Sequence, residues 1–148
     1  MTLRPRQDEG QLSILILGYT VIAAMLVAVV VDLSHAFLYR RALAAAADGA
    51  AVAAASSPDL DALYRRGAAT QVPLDEVAAR AAVEQYARDG ALGDRFRDFD
   101  VVAVDVRDGR VSVTLAARVR LPLVTRVVGD WRDGYPVGAT ATAVVPVR

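Results

Sequence analysis

The chain contains no cysteine, no lysine and a single histidine, and its 17 basic residues balance 17 acidic residues. Without cysteine there is neither a disulfide framework nor a thiolate zinc site. Zero net charge argues against the basic face of a nucleic-acid-binding protein, so no such partner is expected. The sequence also lacks a nucleophile paired with a base, clustered metal ligands and a Gly-rich phosphate loop. We therefore expect neither an enzyme nor a bound cofactor.

Charge is also missing from one long segment, Leu12–Val31, in which twelve of the twenty residues are Leu, Ile or Val. At the helical rise of about 1.5 Å per residue this segment is about 30 Å long, which matches the hydrocarbon core of a bilayer. We predict one helix that anchors the chain in a lipid bilayer. A cleavable secretory signal is one alternative, but its apolar region is usually shorter. A buried core helix is the other, and so small a domain could not surround it.

The helix is predicted to continue well beyond the apolar segment, because no proline occurs between Val31 and Pro58 and the intervening residues are strong helix formers. We predict a helix over residues 11–56, with less than half of it in lipid and the rest forming a stalk. Asp32 marks the point where the helix leaves the lipid. A stripe of mostly small residues follows at helical spacing and predicts close packing against a partner helix or the chain's own domain; it comprises Ala36, Leu43, Ala47, Ala50 and Ala54.

Residues 57–148 predict an α+β head, in which a helix packs on a small antiparallel sheet. Pro73 precedes an amphipathic helix that stops at Gly90. Its predicted apolar face comprises Leu74, Val77, Ala78 and Ala81. Its predicted ion pairs are Glu76–Arg80 and Glu84–Arg88. A short helical turn is expected over residues 59–66, and a turn and loop with Trp131 as a packing anchor over residues 121–134.

Two alternating strands are predicted around Asp108-Gly109, a two-residue turn that suits a hairpin. This register gives one apolar face, on which the expected cross-strand pairs are Val106/Val111, Val104/Val113 and Val102/Leu115. The opposite, polar face of the second strand comprises Arg110, Ser112, Thr114 and Arg118. A third alternating run extends from Val137 to Val145, with Val and Ala on one side.

The segment from Glu9 to Ala55 resembles the N-terminal part of the TadE/TadG-like proteins of the Tad (Flp) pilus-assembly system. Their pattern is a Gly-led apolar span, an Asp at its outer end, an aromatic-Arg stretch and an Ala-rich tract. The matching residues are Gly10, Asp32, Tyr39, Arg40 and the tract Ala46-Ala47-Asp48-Gly49-Ala50-Ala51. The C-terminal half is similar to the short TadG-related form, with its Val-rich hairpin and terminal Ala-Thr-Ala-Thr-Ala strand.

This resemblance implies a pilin-like architecture and a role in Tad pilus assembly, adhesion or secretion, with other pilus-assembly or pilin-like subunits as partners. It implies a bacterial membrane location with residues 1–10 as a cytoplasmic leader and the head extracytoplasmic. Related prepilins are cut after a Gly by a prepilin peptidase, which here corresponds to Gly10 and Gln11. Pilins and TadE-like proteins carry Glu at the fifth position after that cut. This chain has Leu15 there, which fits the TadG-like side better.

A second function stays open beside the assembly role. A signal-anchored envelope protein that binds a protein or ligand through its head would show the same anchor. An exposed cavity or polar cluster on the head would favour this binding role. A long, solvent-exposed Ala stripe on the stalk would favour the assembly role.

Overall fold

The structure is a computed structural model that describes residues 8–56, 76–123 and 133–144. The helices are α1 (Asp8–Ala55), α2 (Glu76–Asp89) and α3 (Leu92–Arg95). The strands are β1 (Asp100–Arg107), β2 (Arg110–Val119) and β3 (Tyr135–Val144). A long N-terminal helix followed by an antiparallel sheet and shorter helices confirms the predicted α+β class. The turn expected at 59–66, Leu74, Trp131 and Val145 lie outside the described residues.

Helix α1 has 48 residues and is therefore about 70 Å long. It starts at Asp8, three residues before the predicted start, and ends at Ala55, one residue before the predicted end. It is long and apolar enough to cross a membrane, and none of its apolar 18-residue window is buried. The core helix of a soluble protein would be mostly buried, so this exposure opposes that alternative.

The three strands form one antiparallel sheet in the order β1-β2-β3. Asp108 and Gly109 form the first turn with φ values of 50° and 71°. Positive φ at both central residues is what a type I′ hairpin turn requires, and glycine adopts it without steric cost. The turn sets the predicted register, and Val106 pairs with Val111 and Val104 with Val113.

The third predicted pair of this hairpin was wrong. Leu115 pairs with Val101 rather than Val102, because the register shifts between Val101 and Ala103. A β-bulge of this kind places an extra residue on one strand and reverses the alternation of side chains beyond it. Val102 is consequently 55% exposed, and the half-buried Val101 packs against the core in its place.

Helix α2 confirms the predicted helix and its stop at Gly90, but the predicted apolar face was wrong. Ala79 and Val83 are fully buried, whereas Val77 is 74% exposed. The helix is rich in alanine, so its periodicity allows more than one face to be buried, and the contact with α1 selects between them. The ion pair along the helix joins Arg80 to Glu84 at 3.3 Å, in place of the two predicted pairs.

The domain has two layers, because α1 and α2 pack on the same face of the sheet. The buried strand residues alternate and comprise Val104, Val111, Val113, Leu115, Ala117, Val119 and Ala141. The other face carries polar side chains, and there Thr114 and Thr140 lie within hydrogen-bonding distance, with 3.0 Å between their Oγ1 atoms. Thr142 donates to Ser112 at 3.3 Å on the same face.

Candidate functional site

The candidate functional site is the seam where the C-terminal half of α1 packs beneath the sheet and against α2. Leu43, Ala47, Ala50 and Ala54, which the sequence singled out as a packing stripe, are at most 1% exposed. Ala36, the first member of the predicted stripe, is half-buried. In the structure, the chain's own head covers Leu43, Ala47, Ala50 and Ala54.

Small side chains make this seam possible because they let the sheet and α2 approach the α1 backbone closely. Gly49 is the extreme case. A Cβ atom added at Gly49 would collide with the hydroxyl group of Tyr86 on α2. A mid-helix glycine costs about 1 kcal/mol of helix stability relative to alanine, and here it provides room for a half-buried aromatic ring.

The seam also bears on the secretory-signal alternative. Cleavage in the Ala tract would remove Leu43, Ala47 and Ala50, which lie in the same hydrophobic core as Val83 and Leu115. The head would lose one side of its core. The fold therefore favours a retained helix over a cleaved signal.

Asp32 lies at the lower end of the seam, one residue beyond the apolar run, and is only 3% exposed. Its Oδ1 atom accepts a hydrogen bond of 3.0 Å from the backbone N–H of Leu123, 91 positions away in sequence. The head therefore reaches down α1 to the last turn before the apolar run, and the segment predicted to be a stalk is part of the head's core. Asp32 does more than mark the end of the lipid-embedded helix.

We expect Asp32→Ala to destabilise the packing of the head on α1 by about 1–3 kcal/mol, because the Leu123 N–H would lose this acceptor. Hydrogen–deuterium exchange of the full chain in detergent would show faster exchange for residues 118–123. The control is Asp32→Asn, which keeps a side-chain oxygen as acceptor and should retain most of the protection. Equal loss in the two variants would contradict this role of Oδ1.

Tyr39 connects α1 to the loop between α3 and β1. Its hydroxyl accepts a hydrogen bond of 3.0 Å from the backbone N–H of Arg97. Its ring meets the buried Phe96 edge to face, with 5.3 Å between ring centroids and an interplanar angle of 87°. Such edge-to-face pairs contribute about 0.5–1.5 kcal/mol beyond their buried area. The Arg97 carbonyl in turn accepts from the Arg118 N–H at 2.8 Å, so this contact continues into β2.

Burial raises the pKa of the Tyr39 hydroxyl above its usual 10.0, the hydrogen bond from Arg97 lowers it in part, and the nearby Asp98 carboxylate raises it further. Above pH 10 the unfolded chain loses this proton before the folded chain does. We therefore expect the head to lose stability as the pH rises from 10 toward the pKa of the folded state. Urea midpoints at pH 9 and pH 11 should differ less for Tyr39→Phe than for the unsubstituted chain. An unchanged difference would contradict the assignment.

The sequence did not identify Phe96 or Leu123 as parts of the seam. Phe96 and Phe99 are two aromatic residues in the strongly charged segment 94–100, and that contrast was the available signal. Leu123 contributes a backbone N–H, which leaves no trace in the residue pattern. The predicted processing residues Gly10 and Gln11 lie in the first turn of α1, far from the seam.

Metal ligands and surface depressions are the other features of the described residues that bear on a site. Among residues 8–56, 76–123 and 133–144, no three His, Asp or Glu side chains are grouped so that they could hold a metal ion. Among the described residues, charged side chains line two open depressions on the head. One, of about 370 Å³, lies at the hairpin end of the sheet and is lined by polar and charged side chains, among them Asp105, Arg107 and Arg110. The other is larger and lies beside α1 at the opposite end.

The comparison with known families bears on α1 alone. Residues 10–57 match the Tad family of Flp pilus-assembly TadE/G-like proteins. This confirms the resemblance predicted from the apolar span, Asp32 and the Ala tract. The match ends before α2, so the resemblance of the head to the TadG-related form stays a prediction. No curated protein and no solved structure matches the chain.

The Tad match covers the membrane-spanning candidate together with the seam. It supports a pilus-related role and, with the apolar helix, membrane anchoring. The matched residues therefore combine two properties in one continuous helix: an exposed apolar half and a half that forms the core of the head.

Proposed function

We propose that this protein is a non-enzymatic, membrane-anchored component of a Tad (Flp) pilus-assembly system, with a pilin-like head on the extracytoplasmic side. The observation that carries the proposal is the Tad match over residues 10–57, which coincides with an apolar helix that continues into the head. A rigid connection of this kind transmits the position of the anchor to the head without a flexible linker. A protein that orients assembly partners at a membrane surface needs that property.

The test is deletion of the gene in its host bacterium, followed by counting surface pili by electron microscopy. We expect pili to be lost or strongly reduced and to return with the full chain. A chain carrying Val21→Arg and Val27→Arg should fail to restore them, because an Arg at the centre of the span costs about 2.5–3.5 kcal/mol for membrane insertion. Unchanged piliation after deletion would refute the pilus role. Restoration by the double variant would refute the need for the anchor.

Partner subunits are proposed to contact the face of α1 that turns away from the head. Leu33, Phe37, Leu38 and Val52 are 59–65% exposed, whereas the Ala stripe is covered. A photo-crosslinking residue at Phe37 should capture a second pilus protein in intact membranes, and one at Ala47 should crosslink only within the chain. Capture from Ala47 alone would overturn this choice of face.

Orientation can be tested directly because the chain has no cysteine. We propose that residues 1–10 are cytoplasmic and the head extracytoplasmic. Arg107→Cys at the end of β1 should react with a membrane-impermeant maleimide in intact spheroplasts. Thr2→Cys should react only after lysis. The reverse pattern would show the opposite orientation.

We also propose Gly10–Gln11 as the bond that a prepilin-type peptidase would cut. Intact mass spectrometry of the membrane-extracted protein would then show a chain lacking residues 1–10. A full-length mass would refute processing and leave an uncut anchor. A chain that begins after the Ala tract would refute the anchor itself and indicate secretion.

A second candidate, a binding protein anchored in the envelope, is favoured by two observations. The Ala stripe, whose exposure would have favoured assembly, is covered by the head. The depression at the hairpin end brings Asp105, Asp108, Arg107 and Arg110 together on an exposed surface. If binding there is the function, substitution of these residues should abolish activity in the host while the protein's membrane location stays unchanged. If pilus assembly through α1 is the function, the same substitutions should leave piliation intact.

A further inference from the structure

The larger depression on the head, which we term the arginine cleft, lies between α1 and the end of the sheet remote from the hairpin. Its volume is about 540 Å³. Four guanidinium groups and two carboxylates line it, and they belong to Arg95, Arg97, Arg118, Arg120, Asp94 and Asp98. In a chain with zero net charge, this surface concentrates an excess of two positive charges.

The contacts with α1 place the arginine cleft at the membrane-proximal end of the head. His35 and Tyr39 line the cleft from the α1 side. His35 follows Val31, the last residue of the continuous apolar run, by about one helical turn, which is a rise of about 6 Å. The polar headgroup layer extends about 5–7 Å beyond the hydrocarbon on each side of a bilayer. The edge of the cleft at His35 therefore lies at the level of the lipid headgroups when Leu12–Val31 spans the membrane. The edge at Tyr39, about 12 Å from Val31 along the helix, lies above them.

The arrangement of the guanidinium groups suits a phosphate. The Nε atoms of Arg97 and Arg118 are each 3.9 Å from the same oxygen of Asp98, so the two guanidinium groups lie next to one carboxylate. Both arginine side chains remain about half exposed. Guanidinium has five N–H donors in a planar fork, so each of these groups keeps donors for a second anion.

The remaining two arginines complete the cleft. The Arg95 guanidinium carbon lies 5.5 Å from the centre of the Phe96 ring, and this cation–π contact restrains its side chain. Arg120 is exposed and directly follows β2. Several arginines with restrained positions and a common target bind a phosphate group better than a single mobile charge, because less conformational freedom is lost.

We propose that the arginine cleft binds the phosphodiester headgroup of an anionic phospholipid in the leaflet beneath the head. This proposal rests on the membrane anchoring in the proposed function. Because Asp32 and Tyr39 already clamp the head to α1, a lipid bound here would fix the tilt of the helix and the height of the head above the membrane. Phosphodiester and free phosphate share the same chemistry, and anchoring next to the bilayer favours the lipid.

The test uses the full chain in a neutral maltoside detergent and native mass spectrometry. The protein is titrated with phosphatidylglycerol and, separately, with phosphatidylcholine, which has the same phosphodiester but no net charge. We expect phosphatidylglycerol to bind at least about tenfold more tightly. Inorganic phosphate at millimolar concentration is added as a competitor. It should leave phosphatidylglycerol binding unchanged, and complete displacement would overturn the lipid assignment in favour of a soluble anion.

The binding test compares two double variants that lose the same number of positive charges. Arg95→Gln with Arg120→Gln removes two cleft arginines, and Arg107→Gln with Arg110→Gln removes two arginines at the hairpin end. We expect the first pair to weaken phosphatidylglycerol binding by a factor on the order of 25, from about fivefold per arginine near an anionic surface. The second pair should change it less than twofold. Equal weakening by the two pairs, or equal binding of the two lipids, would refute the cleft.

Two further measurements keep the result interpretable. The urea midpoints of both double variants should equal that of the unsubstituted chain. If the variant with Arg95→Gln and Arg120→Gln does not fold, Arg120→Gln alone should weaken phosphatidylglycerol binding about fivefold. No change in binding by this single variant would refute the cleft. Alkaline carbonate extraction separates this proposal from the anchoring. A chain that stays in the membrane fraction but binds both lipids equally refutes the lipid site only. A chain released to the soluble fraction refutes both.

Discussion

Phe96→Ala is expected to reduce the stability of the head by about 3–5 kcal/mol, the usual cost of removing a fully buried phenylalanine. Phe96 is 1% exposed and contacts Tyr39 of α1 on one side. Its ring centroid lies 6.4 Å from that of Phe99 on the other side, so it joins the helix to the loop that leads into β1. Small domains have a total stability of about 5–15 kcal/mol, so this loss would unfold a substantial fraction of heads.

Pulse proteolysis of the full chain in detergent across a urea series would measure the loss. Its control is Phe37→Ala, because Phe37 is also a phenylalanine near the membrane but is 65% exposed. We expect the Phe37 variant to stay within about 0.5 kcal/mol of the unsubstituted chain. Comparable losses in the two variants would show that Phe96 does not hold the head on α1.

Ala50→Glu is expected to separate the head from α1, at a cost of at least about 3 kcal/mol. Ala50 is 1% exposed and lies in the middle of the seam, within the core that includes Val113 and Leu115. A carboxylate there would have to give up water without gaining a partner, and its longer side chain would push the sheet away. The helix itself should survive, because glutamate is a good helix former.

The matched control for this prediction is Ala45→Glu, in the same Ala-rich tract but on the exposed side of α1. It should change the stability of the head by less than about 0.5 kcal/mol. Hydrogen–deuterium exchange would distinguish the variants: amides of β1 and β2 should lose protection in Ala50→Glu and keep it in Ala45→Glu. Retained protection in both would refute the burial of this face of α1.

Asp32 and the Ala stripe show how far the sequence could predict the candidate site. The helical spacing of Leu43, Ala47 and Ala50 indicated one packing face, because that periodicity is a local property of the chain. This spacing did not indicate whether a partner helix or the head covers that face of α1. The contact that answers the question joins Asp32 to Leu123 across 91 residues, and no local pattern carries such information.

The strands also show which features local sequence patterns predict and which depend on long-range contacts. The Asp108-Gly109 turn and the alternation of valines determined the hairpin and two of its pairs, since a two-residue turn sets the register of the strands on either side. The bulge at Val102 moved the third pair. The position of such a bulge depends on how β1 packs against the helices, and this packing involves residues far apart in the chain.

The sequence by itself determined a bilayer-length apolar helix, the α+β class and the resemblance to the Tad family, because each is encoded in neighbouring residues. Only the tertiary structure decided that the upper half of α1 is the core of the head, that Val83 rather than Val77 is buried, and that four arginines meet beside His35. Those outcomes depend on which of several equivalent faces finds a complementary surface. Contacts between segments far apart in the chain select the buried face, because they bury apolar area and provide hydrogen-bond partners for buried polar groups at the same time.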